Sequence, residues 1–228
     1  MKSVSFDLWG TLIKSNPEFK PRRDKYIFDN YGLVPDYGFL GKKARAIEKM
    51  VDQIGEGTGQ AVDAKILIAL ILKELGQDLT KFDKGEYYKI ERDLLDLALE
   101  FPPLYYDENT LPVLNWLKEE GYTVVTASNT GLLSGITMRW VQNQIKLDKL
   151  VKDQVYSDIV GYSKPHINFF QRVDSVLGTE QYLHVGDNAN ADGGAKYPFI
   201  INSNDLTILD VKKYLETEPQ SILSESFH

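Results

Sequence analysis

Polar residues follow four short apolar runs of this chain, at the places where strands of a parallel sheet would end. Ligands of open parallel sheets bind just beyond the carboxyl ends of the strands, so these residues are the first candidates for chemistry. They are Asp7 and Trp9 in FDLWGTL, Ser128 and Asn129 in VVTASNTG, Lys164 in GYSKP, and Asp187 and Asp192 in HVGDNANAD. Their side chains offer carboxylate, hydroxyl, amide and ammonium groups to one region of the molecule.

Three of these residues are aspartates. A carboxylate at the end of a buried strand is costly unless it is paired or bound to a metal. Convergence of Asp7, Asp187 and Asp192 therefore indicates a shared cation, and hard oxygen ligands favour Mg²⁺. Asp7 is in addition a candidate carboxylate nucleophile. Taken singly, each of the three could instead be a turn residue or a helix N-cap.

The other polar residues suit an anionic substrate. Lys164 can place a point charge against a phosphoryl or carboxylate group, and the Ser128 hydroxyl can donate a hydrogen bond to it. Asn129 is a further candidate substrate contact, although an asparagine after a strand often only shapes a turn. His184 lies in an apolar run and His166 begins a helical pattern, so neither is a predicted catalyst.

Five apolar runs can supply the strands that position these residues. Each run is followed by turn residues, and most are then followed by residues with helical periodicity, which predicts a parallel sheet. The runs are Val4 to Leu8, Tyr122 to Ala127, Gln154 to Ser157, Tyr182 to Val185, and Phe199 to Asn202. The sequence therefore predicts an α/β fold with a Rossmann-like parallel sheet core.

About 110 residues without a strand candidate separate the first run from the second. Apolar residues recur there at helical spacing, and a stretch of this length is too long to be a simple connection. It divides into about four helical pieces at Gly32, Gly55 to Gly59, and Gly76. We predict an α-helical subdomain over residues 15–100, inserted into a core made of residues 1–14 and 101–228.

The four polar segments resemble, in their order, the four motifs of the haloacid dehalogenase-like hydrolases. FDLWGTL is followed by SN after a strand, then by GxxKP, and then by GDxxxxD. Each motif alone is weak, but four in the correct order, each behind a predicted strand, are specific. The resemblance covers about residues 3–195, and the long first gap is similar to that of members with an inserted helical cap.

The resemblance implies a role for each motif. Asp7 would attack the substrate, and Ser128 and Lys164 would hold its phosphate and the phospho-aspartate. The implied ligands of Mg²⁺ are the carboxylates of Asp7, Asp187 and Asp192 and the backbone carbonyl of Trp9. The implied activity is that of a Mg²⁺-dependent phosphatase or phosphotransferase acting on a small phosphorylated metabolite.

Trp9 departs from the pattern of the family's phosphatases, which carry a second aspartate two residues after the nucleophile. That aspartate protonates the leaving alkoxide and then activates water, whereas an indole N–H is a donor but no useful acid. A positioned acid or base contributes about 10² to 10⁴ in rate. We therefore expect slow turnover of ordinary phosphomonoesters, or a preference for acyl phosphates, whose leaving group needs little protonation.

Two other functions fit the same residues. In a 2-haloacid dehalogenase the halide leaves without a proton, and that branch of the family resembles this chain in having an aromatic residue two places after the nucleophile. However, that branch lacks the metal-binding acids of the fourth motif, whereas Asp187 is present here. The third alternative is a catalytically weakened domain that binds a phosphorylated ligand or a protein partner.

The inserted segment contributes arginines and a glycine-rich run. In the family's dehalogenases a cap arginine receives the halide. The candidates here, for which a solvated helix face is the expected setting, are Arg22, Arg23 and Arg45. The run GEGTG at Gly55 to Gly59 is predicted as a turn; its alternative is a loop that dips toward the active site and selects substrate through Glu56 and Thr58.

Net charge and composition disfavour some classes of partner. The chain carries 26 Lys and Arg residues against 33 Asp and Glu residues, a net charge of −7, which disfavours nucleic acid as a partner. It has no cysteine, no segment resembling a signal peptide, and no apolar run long enough to span a membrane, so we expect a cytoplasmic protein without a membrane partner. A homodimer contact is a possible second role of one helix face, formed by Ile66, Leu67 and Leu70.

Overall fold

A parallel sheet forms the centre of the structure, a computed structural model that describes residues 2–33, 37–203 and 205–217. The strands are β1 (Ser3–Phe6), β2 (Ile13–Lys14), β3 (Leu104–Tyr105), β4 (Thr123–Ser128), β5 (Asp153–Tyr156), β6 (Leu183–Gly186) and β7 (Pro198–Ile200). The order in the sheet is β5-β4-β1-β6-β7, with all neighbours parallel. The predicted α/β fold with a Rossmann-like sheet is confirmed, and each of the five predicted runs contributes a strand.

Four α-helices lie between β2 and β3 in the part of the chain that the structure describes. They are α1 (Phe19–Tyr31), α2 (Tyr37–Thr58), α3 (Ala64–Glu74) and α4 (Lys84–Glu100). Their apolar faces pack around Leu40, Ile71 and Leu94, each almost fully buried, so the insertion has a hydrophobic cluster of its own. The helices occur where the sequence predicts them, and the assignment of residues 15–100 as a separate subdomain stays a prediction.

Two features of the insertion differ from the sequence prediction. β2 and β3 form a short antiparallel pair at its base, where no strand was expected. A two-residue strand has no periodicity from which it could be recognised. The run from Gly55 to Gly59 was predicted as a turn, but α2 continues through Thr58 and ends at Gly59, whose φ is +71°. Packing against neighbouring elements therefore outweighs the weak helix propensity of glycine.

The remaining helices cover the sheet. They are α5 (Thr110–Glu119), α6 (Gly135–Gln144), α7 (Ser157–Val160), α8 (Ile167–Leu177), α9 (Ala189–Asp192) and α10 (Ile208–Thr217). All four residues of the central strand β1 are buried, as in a sheet covered on both faces, although its sequence SVSF alternates between polar and apolar residues. The predicted core extends to residue 228, of which residues 218–228 lie outside the described part.

Apolar faces of the insertion are mostly turned inward. Ile66 is about half exposed, but Leu67 is buried in the insertion's own cluster, so the two do not form one exposed face as the predicted dimer contact requires. A homodimer stays a prediction without this support. Among the described residues, no helix combines the length and the apolar character that crossing a membrane would need.

Candidate active site

A cavity of about 520 Å³ opens between the carboxyl ends of the strands and the helical insertion. All site residues predicted from the sequence line it: Asp7, Trp9, Ser128, Asn129, Lys164, Asp187 and Asp192. Asp7 follows β1, Ser128 ends β4, and Asp187 follows β6, as the carboxyl-end rule for parallel sheets requires. Residues of α1, α2 and α3 close the cavity from the other side.

Three carboxylates meet on the floor of this cavity. One oxygen atom from each of Asp7, Asp187 and Asp192 lies within 4.8 Å of the other two. Hard oxygen ligands at this spacing are typical of a divalent cation such as Mg²⁺. The donor set therefore fits the metal that the sequence predicts.

Lys164 neutralises part of this charge. Its Nζ donates to Asp7 Oδ1 at 2.7 Å and also to Asp192 Oδ1, and only 2% of the residue is exposed. Burial favours the neutral amine, but Asp7 and Asp192 outweigh that effect and raise the pKa of Lys164. The floor therefore holds a permanent buried cation beside the candidate nucleophile.

Asp192 is fixed by several donors. His184 Nε2 lies 3.0 Å from Asp192 Oδ1, and the backbone N–H of Asn188 donates to Asp192 Oδ2 at 3.0 Å. Burial opposes ionisation, but Lys164 and His184 outweigh it and lower the pKa of Asp192. The other ring nitrogen of His184 pairs with Ser5 Oγ at 2.7 Å, so both its ring nitrogens have partners in the core, as its predicted non-catalytic role requires.

Two glycines allow the carboxylates of the floor to lie close to the backbone of neighbouring loops. Gly10 has a φ of +77°, and a Cβ atom there would lie 2.3 Å from Asp187 Oδ2. A Cβ atom on Gly186 would lie about 2 Å from the Asp192 carboxylate. Neither distance is possible for a real side chain, so these positions require glycine for the carboxylates to approach the loops.

The candidate nucleophile, Asp7, has a pKa that is raised toward neutral pH. Asp7 is 6% exposed, and burial raises its pKa to about 6, an effect that Lys164 opposes. Burial likewise raises the pKa of Asp187, whose Oδ1 lies 3.5 Å from Thr11 Oγ1.

Ser128 and Asn129 connect β4 to the lysine loop. Asn129 accepts a hydrogen bond from the backbone N–H of Lys164 at 2.8 Å, and its amide donates to the Lys164 carbonyl at 3.1 Å. The side chain of Asn129 thereby fixes the loop that carries Lys164, and its role as a substrate contact stays a prediction. Ser128 is 2% exposed and lines the cavity beside it.

Trp9 occupies the position at which an acid would be useful. Its half-buried indole packs against the core cluster that includes Phe19 and also lines the cavity. An indole can donate one hydrogen bond but cannot exchange a proton with a leaving group. The floor therefore contains a candidate nucleophile and a cation but no acid at this position.

The wall opposite the floor, which we call the acidic wall, consists of Glu48, Asp52 and Glu56 on α2. Residues four apart lie on one face of a helix, so the three carboxylates form a row along the cavity. Sequence analysis did not assign this row to the site, although the repeat every four residues was a readable signal. Partial desolvation of its carboxyl by the cavity lining and the charges of the two glutamates raise the pKa of Asp52, although the residue is exposed overall.

Arg23 corrects another sequence expectation. It was expected on a solvated helix face, but only 2% of the residue is exposed and it lines the cavity, whereas Arg22 is exposed. Arg23 Nη1 pairs with Glu48 Oε1 at 2.5 Å, and Arg23 Nε donates to Asp24 Oδ1 at 2.9 Å. Charge pattern alone cannot show which of two adjacent arginines faces inward.

Glu56 joins the acidic wall to the floor. Its Oε1 accepts a hydrogen bond from Asn188 Nδ2 at 2.7 Å, and Asn188 directly follows Asp187 in the chain. One residue of the GEGTG run therefore does reach the active-site loops, as the alternative interpretation of that run proposed. Thr58, in contrast, donates back to the Ile54 carbonyl within its own helix.

Comparison with known proteins gives a family and several similar folds. The chain matches a family model described as haloacid dehalogenase-like hydrolase over residues 1–195. Its structure is similar to magnesium-bound YfnB from Bacillus subtilis, with a TM-score of 0.70 and 15% identity over 94% of this chain and 98% of that one. No curated protein sequence matches the chain.

Two further solved structures represent different activities. A protein described as a predicted phosphoglycolate phosphatase, from Haemophilus somnus, has a TM-score of 0.60 and 18% identity, over 94% of this chain and 97% of that one. A defluorinating L-2-haloacid dehalogenase has a TM-score of 0.57 and 20% identity, over 85% of this chain and 75% of that one. At these identities the similarities establish the fold and do not distinguish the two activities.

Proposed function

The chain belongs to the haloacid dehalogenase-like hydrolases, and from that premise we propose that it is a Mg²⁺-dependent phosphatase or phosphotransferase acting on a small phosphorylated metabolite. The observation that carries this proposal is the floor of the cavity, where Asp7, Asp187 and Asp192 meet around one point beside Lys164. A dehalogenase has no need of three acids arranged for a cation. The metal-type fourth motif therefore favours phosphoryl transfer.

Each floor residue has a proposed role in binding the metal or the substrate. When bound, Mg²⁺ would be held by Asp7, Asp187, Asp192 and the Trp9 carbonyl, and it would neutralise charge on the phosphoryl group. The positive charge of Lys164 would stabilise the same negative charge on the phosphoryl group. Ser128 and Asn129 are the proposed polar contacts of the substrate beside it. Asp192 already accepts hydrogen bonds on both oxygens, so it holds Lys164 in place as well.

The reaction proceeds through Asp7. Its carboxylate oxygen attacks phosphorus, the bond from phosphorus to the leaving oxygen breaks, and an aspartyl phosphate forms. Water then attacks the phosphorus, and the bond to Asp7 breaks to release phosphate. Lys164 stays within hydrogen-bonding distance of Asp7 and counters the negative charge that accumulates in both steps.

The inserted helices are the proposed cap of this site. Residues 15–100 cover the cavity, and residues 1–14 and 101–228 form the proposed core that carries the nucleophile and metal site. A cap that covers the cavity limits access of water to the aspartyl phosphate and selects substrates by their shape. A cytoplasmic location and a homodimer are further parts of this proposal.

The test is release of phosphate from a panel of phosphomonoesters and acyl phosphates, with and without Mg²⁺, by the natural chain and by Trp9→Asp. Phosphate release by the natural chain that depends on Mg²⁺ is the expected result. Because Trp9 supplies no acid, the Trp9→Asp chain should be faster on esters and little changed on acyl phosphates. If neither chain releases phosphate from any compound, the phosphatase proposal is wrong.

Dehalogenation of 2-haloacids is the second candidate, and two observations favour it. Trp9 stands where a proton donor is needed for ester cleavage but not for loss of halide, and Arg23 is a buried cation that lines the cavity from the insertion. However, Arg23 is already paired with Asp24 and Glu48, which weakens its attraction for a halide. Chloride release from a 2-chloroacid without Mg²⁺ would support this candidate.

A further inference from the structure

The proposed reaction needs a proton donor that the floor does not provide. An alkoxide leaves phosphorus readily only if it receives a proton, and the water of the second step attacks readily only if it loses one. Trp9 can do neither, and Lys164 is fully engaged with two carboxylates. Any acid or base must therefore come from another part of the cavity lining.

Only the acidic wall adds carboxyl groups to the cavity lining of the described residues, apart from the floor itself. The three carboxyl groups of the wall differ in their partners. Glu48 is engaged in the ion pair with buried Arg23. Asp52 is exposed and has no hydrogen bond or ion pair to a described residue. Glu56 alone of the three contacts an active-site loop of the core.

The position of Glu56 is fixed from two sides. Asn188 Nδ2 donates a hydrogen bond to Glu56 Oε1 at 2.7 Å, and Asn188 directly follows Asp187 in the chain. At the end of the same helix, the Ser163 N–H donates to the Gly59 carbonyl at 2.9 Å, and Gln60 forms a β-bridge with Tyr162. The end of α2 is thereby attached both to the metal-type loop and to the loop that carries Lys164.

We infer that Glu56 is the general acid and base of this enzyme, in place of the aspartate that Trp9 replaces. This inference rests on the proposed phosphatase function. In the first step, Asp7 attacks phosphorus, the bond to the leaving oxygen breaks, and the proton of the Glu56 carboxyl moves to that oxygen to give an alcohol. In the second step, the Glu56 carboxylate takes a proton from the water that attacks phosphorus, and the bond to Asp7 breaks.

The inference changes the expected class of substrate. With Trp9 alone, only acyl phosphates and other compounds with good leaving groups would be turned over at a useful rate. With Glu56 as the acid, phosphate monoesters of simple alcohols become substrates. The alcohol portion would lie beside Glu56, whose carboxyl favours groups that are neutral or positively charged over a second anion.

The experiment compares leaving groups in the Glu56→Gln variant. Glutamine keeps a carbonyl that can accept the Asn188 hydrogen bond but cannot transfer a proton, so the fold should be preserved. We expect kcat/KM for 2-glycerophosphate to fall about 10²-fold or more, and kcat/KM for acetyl phosphate to fall less than about tenfold. This ratio reports only the steps up to the aspartyl phosphate, where the alkoxide needs a proton and the acetate does not, whereas the second step is common to both substrates. Asp52→Asn, one turn away on the same face, is the matched control and should keep the natural ratio of the two rates.

A second variant separates a chemical role from a structural one. Trp9→Asp added to Glu56→Gln should restore turnover of 2-glycerophosphate, because the aspartate supplies the missing acid. Equal losses on both substrates, no loss on either, or the selective loss in Asp52→Asn instead would overturn the assignment of Glu56 while leaving the phosphatase function intact. If the natural chain releases phosphate from neither compound, the proposed function fails and the inference fails with it.

Discussion

The floor and the acidic wall of the cavity are both rich in carboxylates, but they are built in opposite ways. The floor combines Asp7, Lys164 and Asp192 from distant parts of the chain, and each of these is almost fully buried. The acidic wall comes from one face of one helix, and its middle residue, Asp52, is exposed. Buried charges tolerate no loss of a partner, whereas exposed charges are screened by water. Substitutions on the floor should therefore cost far more.

The largest effect is expected from Asp7→Asn. An amide cannot attack phosphorus, so turnover through an aspartyl intermediate should be abolished. The variant should fold, because an amide oxygen can still accept the Lys164 hydrogen bond. Phosphate release under saturating substrate measures the effect, and a variant that retained turnover would exclude Asp7 as the nucleophile.

Lys164→Met should have the largest effect on stability. Removal of one partner from a buried ion pair costs about 3 to 5 kcal/mol, because the remaining charges are left without compensation. The cost should be smaller at about pH 5, because the pKa of Asp7, about 6, allows that group to be neutral there. Urea denaturation of the two chains at both pH values tests this, and an equal cost at both would refute the role assigned to Asp7.

Metal binding should depend on pH through the same group. Carboxylates must lose their protons to bind a cation. The pKa of Asp7 rises from 3.8 to about 6 on folding, so without metal this group favours the folded state at low pH and lowers its stability as the pH rises through that window. A Mg²⁺ concentration of about 100 times the Kd measured at about pH 8 should then add about 2.7 kcal/mol at that pH. The same concentration should add clearly less at about pH 5, where the Kd is higher.

Thermal unfolding with and without Mg²⁺ at the two pH values measures that difference. Asp187→Asn should abolish the shift in Tm, because it removes one metal ligand without breaking the contact between Lys164 and Asp7. A Tm that did not respond to Mg²⁺ at either pH would contradict the metal site on the floor.

The two adjacent arginines of α1 allow the loss of a buried ion pair to be compared with the loss of an exposed one within the insertion. Arg23→Met removes the buried partner of Glu48 and Asp24 and should cost about 2 to 3 kcal/mol, near the lower limit for a buried pair because Glu48 is partly exposed. Arg22→Met removes an exposed pair with Glu18 and should cost less than about 0.5 kcal/mol. Equal costs in chemical denaturation would show that the cavity-lining position of Arg23 has no energetic consequence.

The smallest effect is expected from Asp52→Asn. The residue is exposed overall, but the cavity lining partly desolvates its carboxyl. This desolvation, with Glu48 and Glu56, raises the pKa of Asp52 against the opposing charge of Lys20, so loss of the charge removes more repulsion than attraction. Stability should stay within about 0.5 kcal/mol of the natural chain or increase slightly. A loss above about 1 kcal/mol in urea denaturation would show that the acidic wall is as tightly constrained as the floor.

The fold class and the residues of the floor could be predicted from local signals in the sequence. Strand runs and helical periodicity are local signals, and the topology of a parallel sheet then brings the residues after each strand to one edge. For that reason Asp7, Ser128 and Asp187 could be placed together before their distances were known. The two-residue strands β2 and β3 gave no such signal, because they are too short to show a period.

The way in which the insertion faces the floor depends on long-range packing and could not be predicted from the sequence. Arg22 and Arg23 are indistinguishable in the sequence, and the packing of α1 against α2 determines which of them is buried. The pairing of Glu56 with Asn188 joins residues 132 positions apart, and no local pattern predicts a contact between a helix end and a distant loop. Local periodicity places a side chain on a face of its own helix, but what that face meets depends on the whole fold.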